Sequence, residues 1–137
     1  GGSTITQQVA KNTYLSPEKT IRRKIREAVL ARRIESALSK REILEIYLNI
    51  AHWGPKIQGA ESAARYHFGK PASDLSWSEA ALMAGMLQNP SRLNPGAHPE
   101  DARHKQLQVL EKLLRHERLT QEEYEVACAE EQGTPGR

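Results

Sequence analysis

Residues 1–12 read Gly-Gly-Ser-Thr-Ile-Thr-Gln-Gln-Val-Ala-Lys-Asn, and the interpretation of the rest of the chain depends on this stretch. Ser3 is a favourable N-cap, so we predict a helix over residues 4–12. On that helix Ile5 and Val9 share one side. A polar surface of hydroxyl, amide and ammonium groups lies on the other side, formed by Thr4, Gln7, Gln8 and Lys11. Such a surface suits a ligand rich in hydroxyls and anionic oxygens, although an exposed polar helix face explains it too.

A second helix is predicted over residues 19–38, and it has two apolar sides. The first side is a stripe of Ile21, Ile25, Ala28 and Val29. The second side consists of Ala31, Ile34 and Leu38, and Arg23, Lys24 and Glu27 continue it toward the N-terminus. We therefore expect the helix to be covered on two sides, with its charged cluster pointing toward the interior at one end. A third side is expected to be solvated and carries Arg22, Arg26 and Arg33.

The cluster of two cations and one carboxylate has two explanations. Arg23 offers a fork for phosphate oxygens and Lys24 a point charge, so the cluster can form an anion site. A helix-stabilising ion pair between Arg23 and Glu27, worth only a few tenths of a kcal/mol, explains the same spacing. Helical geometry does not decide between the two.

Four stretches, in order and at compatible spacing, resemble signatures of the peptidoglycan glycosyltransferases of family 51. These are the transglycosylase domains of class A penicillin-binding proteins and their monofunctional relatives. Residues 1–12 resemble the second signature. Residues 23–35, Arg-Lys-x-x-Glu-Ala-x-x-Ala-x-x-Ile-Glu, resemble the third signature. Residues 40–49, Lys-x-x-Ile-Leu-Glu-x-Tyr-Leu-Asn, resemble the fourth. Residues 80–90, Ala-Ala-Leu-Met-Ala-Gly-Met-Leu-x-x-Pro, resemble the fifth. The first signature, Glu-Asp-x-x-Phe-x-x-His-x-Gly, carries the principal catalytic glutamate of the family and is not found in these 137 residues. We therefore expect either a fragment of such a domain or a protein that has lost its general base.

The resemblance implies an all-α, lysozyme-like helical fold. The domain is expected over residues 1–129, with 130–137 as a linker or disordered tail. In the family's reaction the 4-hydroxyl of an acceptor sugar of lipid II attacks the anomeric carbon of the growing glycan strand, and undecaprenyl pyrophosphate leaves. The implied partners are lipid II, the glycan strand and the membrane surface, but no nucleic acid. The implied location is the extracytoplasmic, or periplasmic, face of the bacterial inner membrane. Residues 102–127 also resemble, more weakly, the region that follows the core in bifunctional members, which is compatible with a transpeptidase domain in the parent chain.

The resemblance also assigns roles to individual residues. Glu27 matches the second essential glutamate of the family, whose proposed task is to orient the cations or assist the leaving group. The expected substrate-binding residues are Ser3, Thr4, Gln7, Gln8, Lys11, Asn12, Lys19, Arg23 and Lys24. No metal site is predicted from side chains, and a divalent cation, Mg²⁺ or Mn²⁺, that bridges the pyrophosphate is left open as a cofactor.

The charge distribution agrees with an anionic ligand. The net charge is only +3, but residues 11–41 contain ten lysines and arginines against three glutamates. Such a concentration favours phosphate, lipid headgroups or nucleic acid as partners. A single cysteine, Cys128, excludes an internal disulfide and a cysteine-based metal site. No apolar stretch approaches the length of a membrane span, and the five histidines are scattered without metal-ligand spacing.

Three Ser/Thr-x-x-Glu capping boxes predict helices that begin after Ser39, Ser76 and Thr120. Trp53-Gly54-Pro55 is expected to end the first of these helices. The second is almost entirely apolar and is expected to be buried, with Met83 and Met86 as core residues. Further helices are predicted over residues 58–68 and from Pro99 onward.

Two other functions remain open at the level of sequence. A lysozyme-type muramidase would need a pair of carboxylates across a sugar cleft, and Glu27 has no obvious partner in the chain. Muropeptide release from purified sacculi would favour this hydrolase, and polymer formed from lipid II would favour the transferase. A non-catalytic basic helical module would bind anionic membrane or nucleic acid. Its binding would weaken steeply as the salt concentration rises and would not change with Glu27→Gln.

Overall fold

Apolar periodicity and helix capping produce a largely helical chain. The computed structural model describes residues 5–14 and 21–130, apart from the side chains of residues 12–14 and 23. Within these residues the all-α prediction is confirmed, with one short hairpin in addition. The helices are α1 (Ile5–Tyr14), α2 (Ile21–Ala37), α3 (Lys40–Ile50), α4 (Ala60–Phe68), α5 (Trp77–Met86), α6 (Pro99–Arg115) and α7 (Gln121–Ala129), with a 3-10 turn at Ala72–Asp74. The hairpin strands are β1 (His52–Gly54) and β2 (Ile57–Gln58).

The chain divides into two compact units, Gly1–Ala51 and His52–Arg137. The first unit holds α1 to α3, and the second holds the hairpin and α4 to α7. The predicted boundary between a domain of residues 1–129 and a tail of residues 130–137 stays a prediction. Residues 131–137 lie outside the described part of the chain.

In the first unit α1 packs against both α2 and α3. The buried residues of α1 are Thr6, Val9 and Ala10, which fall on one side at i, i+3 and i+4 spacing. Of Ile5 and Val9, which the sequence pattern places on one side of the helix, only Val9 is buried, and Ile5 is exposed. The buried face is centred one residue further along, where Thr6 and Ala10 are small enough for close approach of the neighbouring helices.

The helix α2 is buried on one side, and the prediction of two covered sides is wrong for the first unit. Glu27 and Ala31 are buried, but the stripe that begins at Ile21 is exposed, with Ile21 itself 82% accessible. Both α1 and α3 contact α2, and its buried residues lie on the Ala31 side. The expected solvated side is confirmed, since these three residues are exposed: Arg22, Arg26 and Arg33.

All three predicted capping boxes are present. In α3, for example, the Glu42 N–H donates to Ser39 Oγ at 3.1 Å and the Ser39 N–H donates to Glu42 Oε1 at 3.0 Å. Each cap satisfies two backbone donors that the first helical turn leaves without intrahelical partners, and contributes about 1 kcal/mol. The boxes therefore fix where these helices begin.

The hairpin was not predicted, because strands of three and two residues are too short for an alternating pattern. Helix α3 ends at Ile50, before the end expected at residues 53–55, and β1 follows it. Gln58, which was expected on the next helix, belongs to β2. Trp53 on β1 is buried, and its Nε1 donates to the Met83 carbonyl at 2.9 Å. This bond ties the hairpin to α5.

The core of the second unit lies where α5 packs on α6 and α6 packs on α7. Its buried residues include Ala81, Leu110, Leu119 and Ala127. Met83 and Met86 are also buried, which confirms them as core residues. At Gly85 the two helices approach closely, because a Cβ built there would lie 2.9 Å from Lys105 Cγ. Among the described helices, none is both long and apolar enough to cross a bilayer.

Candidate functional site

The polar face of α1 is half-buried rather than freely solvated. The side chains of Gln7, Gln8 and Lys11 each have intermediate exposure. Intermediate burial restricts the rotamers of these long side chains, so amide and ammonium groups on this face have a more defined position than on a fully exposed helix. The remaining predicted ligands are untested: Ser3, Thr4 and Lys19 lie outside the described residues, as do the side chains of Asn12 and Arg23.

The best-defined feature of the predicted site is an ion pair on α2. Lys24 Nζ lies 3.2 Å from Glu27 Oε1 and donates a hydrogen bond to it. The Glu27 side chain is only 1% exposed, whereas 55% of the Lys24 side chain is accessible. The carboxylate is therefore held inside the unit while its lysine partner reaches solvent. This pair joins i and i+3. The Arg23–Glu27 pair that helical spacing also allows stays a prediction, because the side chain of Arg23 lies outside the described residues.

Burial of Glu27 is costly for the fold. Transfer of an ionised carboxylate out of water costs several kcal/mol, which ion pairs and hydrogen bonds must offset. Apolar residues in place of a buried ion pair are often neutral or stabilising. Since Ala31 lies one turn further along the same buried face, an apolar residue would suit position 27 as well. The buried ion pair is therefore weak evidence that a glutamate is present at this position for stability.

The surroundings of Glu27 are strongly positive. Residues 22–26 contain four cations, and the described side chains among them, Arg22, Lys24 and Arg26, are all exposed. Clustered positive charge attracts anions and raises their local concentration. The lysine ammonium carries three donors, so Lys24 can meet an anionic oxygen from the solvent side while Glu27 orients it. This arrangement suits recognition of phosphate.

The two helices that carry the predicted ligands are neighbours, because α1 packs against α2. The structure thus brings together Lys24 and Glu27, and it places the half-buried polar face of α1 on an adjacent helix. Sequence reasoning did not single out Thr6, which is buried on α1. Its i, i+3 and i+4 spacing with Val9 and Ala10 is the sequence pattern that could have indicated its burial.

A cavity of 480 Å³ also opens in the first unit. Four aliphatic residues dominate its lining, and they are Ile5, Leu38, Ile43 and Leu44. None of the predicted site residues whose side chains the structure describes lines it, so the described part of the predicted anion site does not coincide with this apolar cavity. Among the residues that the structure describes, no group of three or more His, Cys, Asp or Glu side chains is arranged to hold a metal ion.

Comparison with known proteins gives a consistent result. The family model described as Transglycosylase matches residues 1–114. Penicillin-binding protein 1A of Aquifex aeolicus is 46% identical over 127 residues, which are 93% of this chain and 18% of that protein. The protein of the same name in Neisseria lactamica is 47% identical over 96% of this chain and 16% of its own length. A Cupriavidus necator protein, named as a candidate transglycosylase, is 45% identical over 95% of this chain and 56% of its own length.

A solved structure supports the same relationship. The crystal structure of penicillin-binding protein 1A from Haemophilus influenzae matches with a TM-score of 0.65 and 26% identity. The match covers 94% of this chain and 16% of that chain. The chain thus spans about a sixth of the length of the penicillin-binding proteins that it matches.

Proposed function

Because the chain belongs to the transglycosylase family, we propose that the full-length protein is a peptidoglycan glycosyltransferase. It would polymerise lipid II into glycan strands and release undecaprenyl pyrophosphate. The observation that supports this function most directly is the buried Glu27 with half-exposed Lys24 at 3.2 Å. The pair belongs to the stretch that resembles the third family signature, and a buried ion pair is by itself weak evidence of a purely stabilising role.

The proposed chemistry places the cations at the leaving group. A bond forms between the acceptor oxygen and the anomeric carbon, and the bond from that carbon to the pyrophosphate oxygen breaks. Negative charge develops on the pyrophosphate, and ammonium and guanidinium groups positioned beforehand stabilise it. Lys24 donates to a phosphate oxygen from its exposed side, and Lys11, Lys19 and Arg23 are proposed to share the other oxygens.

Glu27 is proposed as a positioning residue rather than as the base. The acceptor hydroxyl must lose its proton to a general base, and in the family the glutamate of the first signature has that role. Glu27 instead holds the Lys24 ammonium through the 3.2 Å hydrogen bond. Loss of that carboxylate would let the lysine leave the orientation that the leaving group needs.

The polar face of α1 is proposed to bind the sugar and phosphate oxygens. Amides and hydroxyls both donate and accept, which matches the mixed hydrogen-bonding groups of a sugar. The residues proposed for this role are Ser3, Thr4, Gln7, Gln8 and Asn12. A Mg²⁺ or Mn²⁺ ion bridging the pyrophosphate is compatible with the proposal, because such hard cations bind phosphate and carboxylate oxygens. A chelator added to the polymerisation assay tests this point.

The partners follow from the substrate and from the relatives. Lipid II is a membrane lipid, so we propose that the protein works at the extracytoplasmic face of the bacterial cytoplasmic membrane. We also propose that the parent chain carries a transpeptidase domain, since several relatives named penicillin-binding protein 1A are about six times longer than the matched region. Labelling of the full-length protein by a fluorescent penicillin tests this, and absence of labelling favours a monofunctional parent.

The decisive experiment is Glu27→Gln in the full-length protein. We expect polymerisation of lipid II to fall by at least about 100-fold, as for loss of a preorganised electrostatic group. The exposed Arg33 on the same helix lies outside the cation cluster of residues 22–26 and provides the control, so Arg33→Gln should retain polymerisation. Circular dichroism of both variants checks that α2 still folds.

A double-variant cycle tests the proposed link between the two residues. If Glu27 acts through Lys24, Glu27→Gln combined with Lys24→Met should be no slower than the slower single variant. Additive losses would contradict a shared role. Wild-type polymerisation by folded Glu27→Gln, or release of muropeptides from sacculi without polymerisation of lipid II, would overturn the proposed function.

A further inference from the structure

A groove of 330 Å³ lies in the second unit between the beginning of α5 and the helix α7. Its apolar lining comes from Trp77, Val126 and Ala127. Its volume is at the lower end of the range for ligand sites, which is about 300–1,000 Å³. The groove therefore has room for a few side chains of a peptide rather than for a large substrate.

Trp77 is an unusual residue for a purely structural surface. Its side chain remains 45% exposed, and Val126 beside it in the groove is also exposed. The indole is nevertheless fixed, because its Nε1 donates to Glu123 Oε2 at 3.1 Å. A large aromatic surface that is oriented by a hydrogen bond and left accessible is typical of the central residues of protein interfaces.

The charged residues that line the groove in the described part of the chain are all acidic. The described lining residues include Glu122, Glu123 and Glu130, and no lysine, arginine or histidine. Helix α7 itself contains three glutamates and no cation. This distribution is opposite to that of residues 11–41, and it disfavours an anionic lipid or nucleic acid as the occupant.

The carboxylates of Glu123 and Glu130 can accept hydrogen bonds from a cationic partner in addition to those that they already accept. Glu130 Oε2 accepts from Ser76 Oγ at 2.9 Å, and Glu123 accepts from Trp77 and from the Thr120 N–H. A carboxylate has about four acceptor positions, so each can accept further bonds. The hydrogen bonds from the Thr120 backbone and hydroxyl lower the pKa of Glu123, so this carboxylate is ionised at neutral pH. The neighbouring cation Lys70 does not line the groove, and its Nζ lies 2.8 Å from Glu79 Oε1.

We propose that this groove docks a basic segment of a partner protein, in which an arginine lies next to an aliphatic residue. The guanidinium group stacks on the Trp77 indole and donates to Glu123 and Glu130, because arginine combines a planar cation with a fork of donors. The aliphatic neighbour covers Val126 and Ala127. Charge complementarity and the oriented, accessible tryptophan together identify this occupant.

The test uses the full chain and two synthetic peptides. The probe is fluorescein-labelled Gly-Arg-Leu-Arg-Gly, amidated at its end, and the control peptide has Glu in place of each Arg. Fluorescence anisotropy measures binding of each peptide. Intrinsic emission gives a second readout of the site, because Trp77 is the exposed one of the two tryptophans and Trp53 is buried. We expect the arginine peptide to bind and to change the Trp77 emission, and the glutamate peptide to do neither.

Matched variants separate the groove from general charge attraction. Glu123→Gln with Glu130→Gln should weaken binding about tenfold at low salt, since each exposed charge pair contributes up to about 1 kcal/mol. Glutamine preserves the capping box at Glu123 and the acceptor for Ser76. The control, Glu111→Gln with Glu125→Gln, removes the same charge from exposed positions that do not line the groove. Equal weakening by both double variants, equal binding of both peptides, or binding that Trp77→Ala leaves unchanged would overturn the proposal.

Discussion

Gln106 is expected to be the most sensitive polar residue of the second unit. It is fully buried on α6, and its Nε2 donates to the Ser78 carbonyl at 2.7 Å and to Ser78 Oγ at 2.9 Å. Its Oε1 accepts from Arg103 Nη1 at 2.8 Å, and Arg103 in turn donates to the Cys128 carbonyl. One amide thus connects the start of α5 with α6 and, through Arg103, with the end of α7. Replacement by leucine keeps the approximate size and removes all three bonds.

The expected cost follows from these three bonds. Two neutral hydrogen bonds contribute about 1 kcal/mol each, and the one from the guanidinium group about 2 kcal/mol. Burial of leucine in place of the amide returns about 1–2 kcal/mol. We therefore expect Gln106→Leu to lower the free energy of unfolding by about 2–3 kcal/mol, or the melting temperature by about 10 °C.

Urea denaturation followed by tryptophan fluorescence measures this change, because Trp53 and Trp77 both lie in the second unit. Gln108 on the same helix is exposed and provides the control, so Gln108→Leu should change stability by less than about 0.5 kcal/mol. Equal stability of the Gln106→Leu and Gln108→Leu variants would refute the reasoning.

Two further predictions concern the same unit. His67 is buried, neither ring nitrogen has a hydrogen-bond partner among the described residues, and burial lowers its pKa. The unfolded chain takes up a proton below about pH 6.5, so native stability should fall with decreasing pH from there down to the native pKa, by up to about 1.4 kcal/mol per pH unit. His67→Phe should remove this part of the decline in urea midpoints between pH 8 and pH 5, and an unchanged decline would contradict it. Gly85→Ala should destabilise by about 1 kcal/mol, because the new Cβ meets Lys105 Cγ at 2.9 Å. Lys105→Ala in the same chain removes that contact, so in thermal melting the double variant should be more stable than Lys105→Ala alone, by the ordinary gain of alanine over glycine in a helix. A double variant that is no more stable than Gly85→Ala would argue against the clash.

Features that depend on neighbours within one helical turn could be predicted from the sequence. The three capping boxes are local, since a Ser or Thr and a glutamate three residues later satisfy each other's backbone donors in any surroundings. The apolar composition of α5 likewise predicted burial, and Met83 and Met86 are buried. For the candidate site, the sequence identified Glu27 as a residue on the sheltered side of α2. It did not determine which neighbouring cation pairs with it, because i+3 and i+4 partners are equally placed on a helix.

The tertiary structure decided which faces are buried. Helix α2 has two apolar sides of similar strength, and only the packing of α1 and α3 shows that the Ala31 side is covered and the side beginning at Ile21 is not. The burial of Gln106 depends in the same way on Ser78, 28 positions earlier in the chain. The physical reason is that hydrophobic burial is non-directional and set by the partner surface, whereas a capping hydrogen bond is directional and complete within four residues. The sequence by itself therefore determined where several helices begin and which glutamate to examine, and long-range packing alone determined how deeply that glutamate and its neighbours are enclosed.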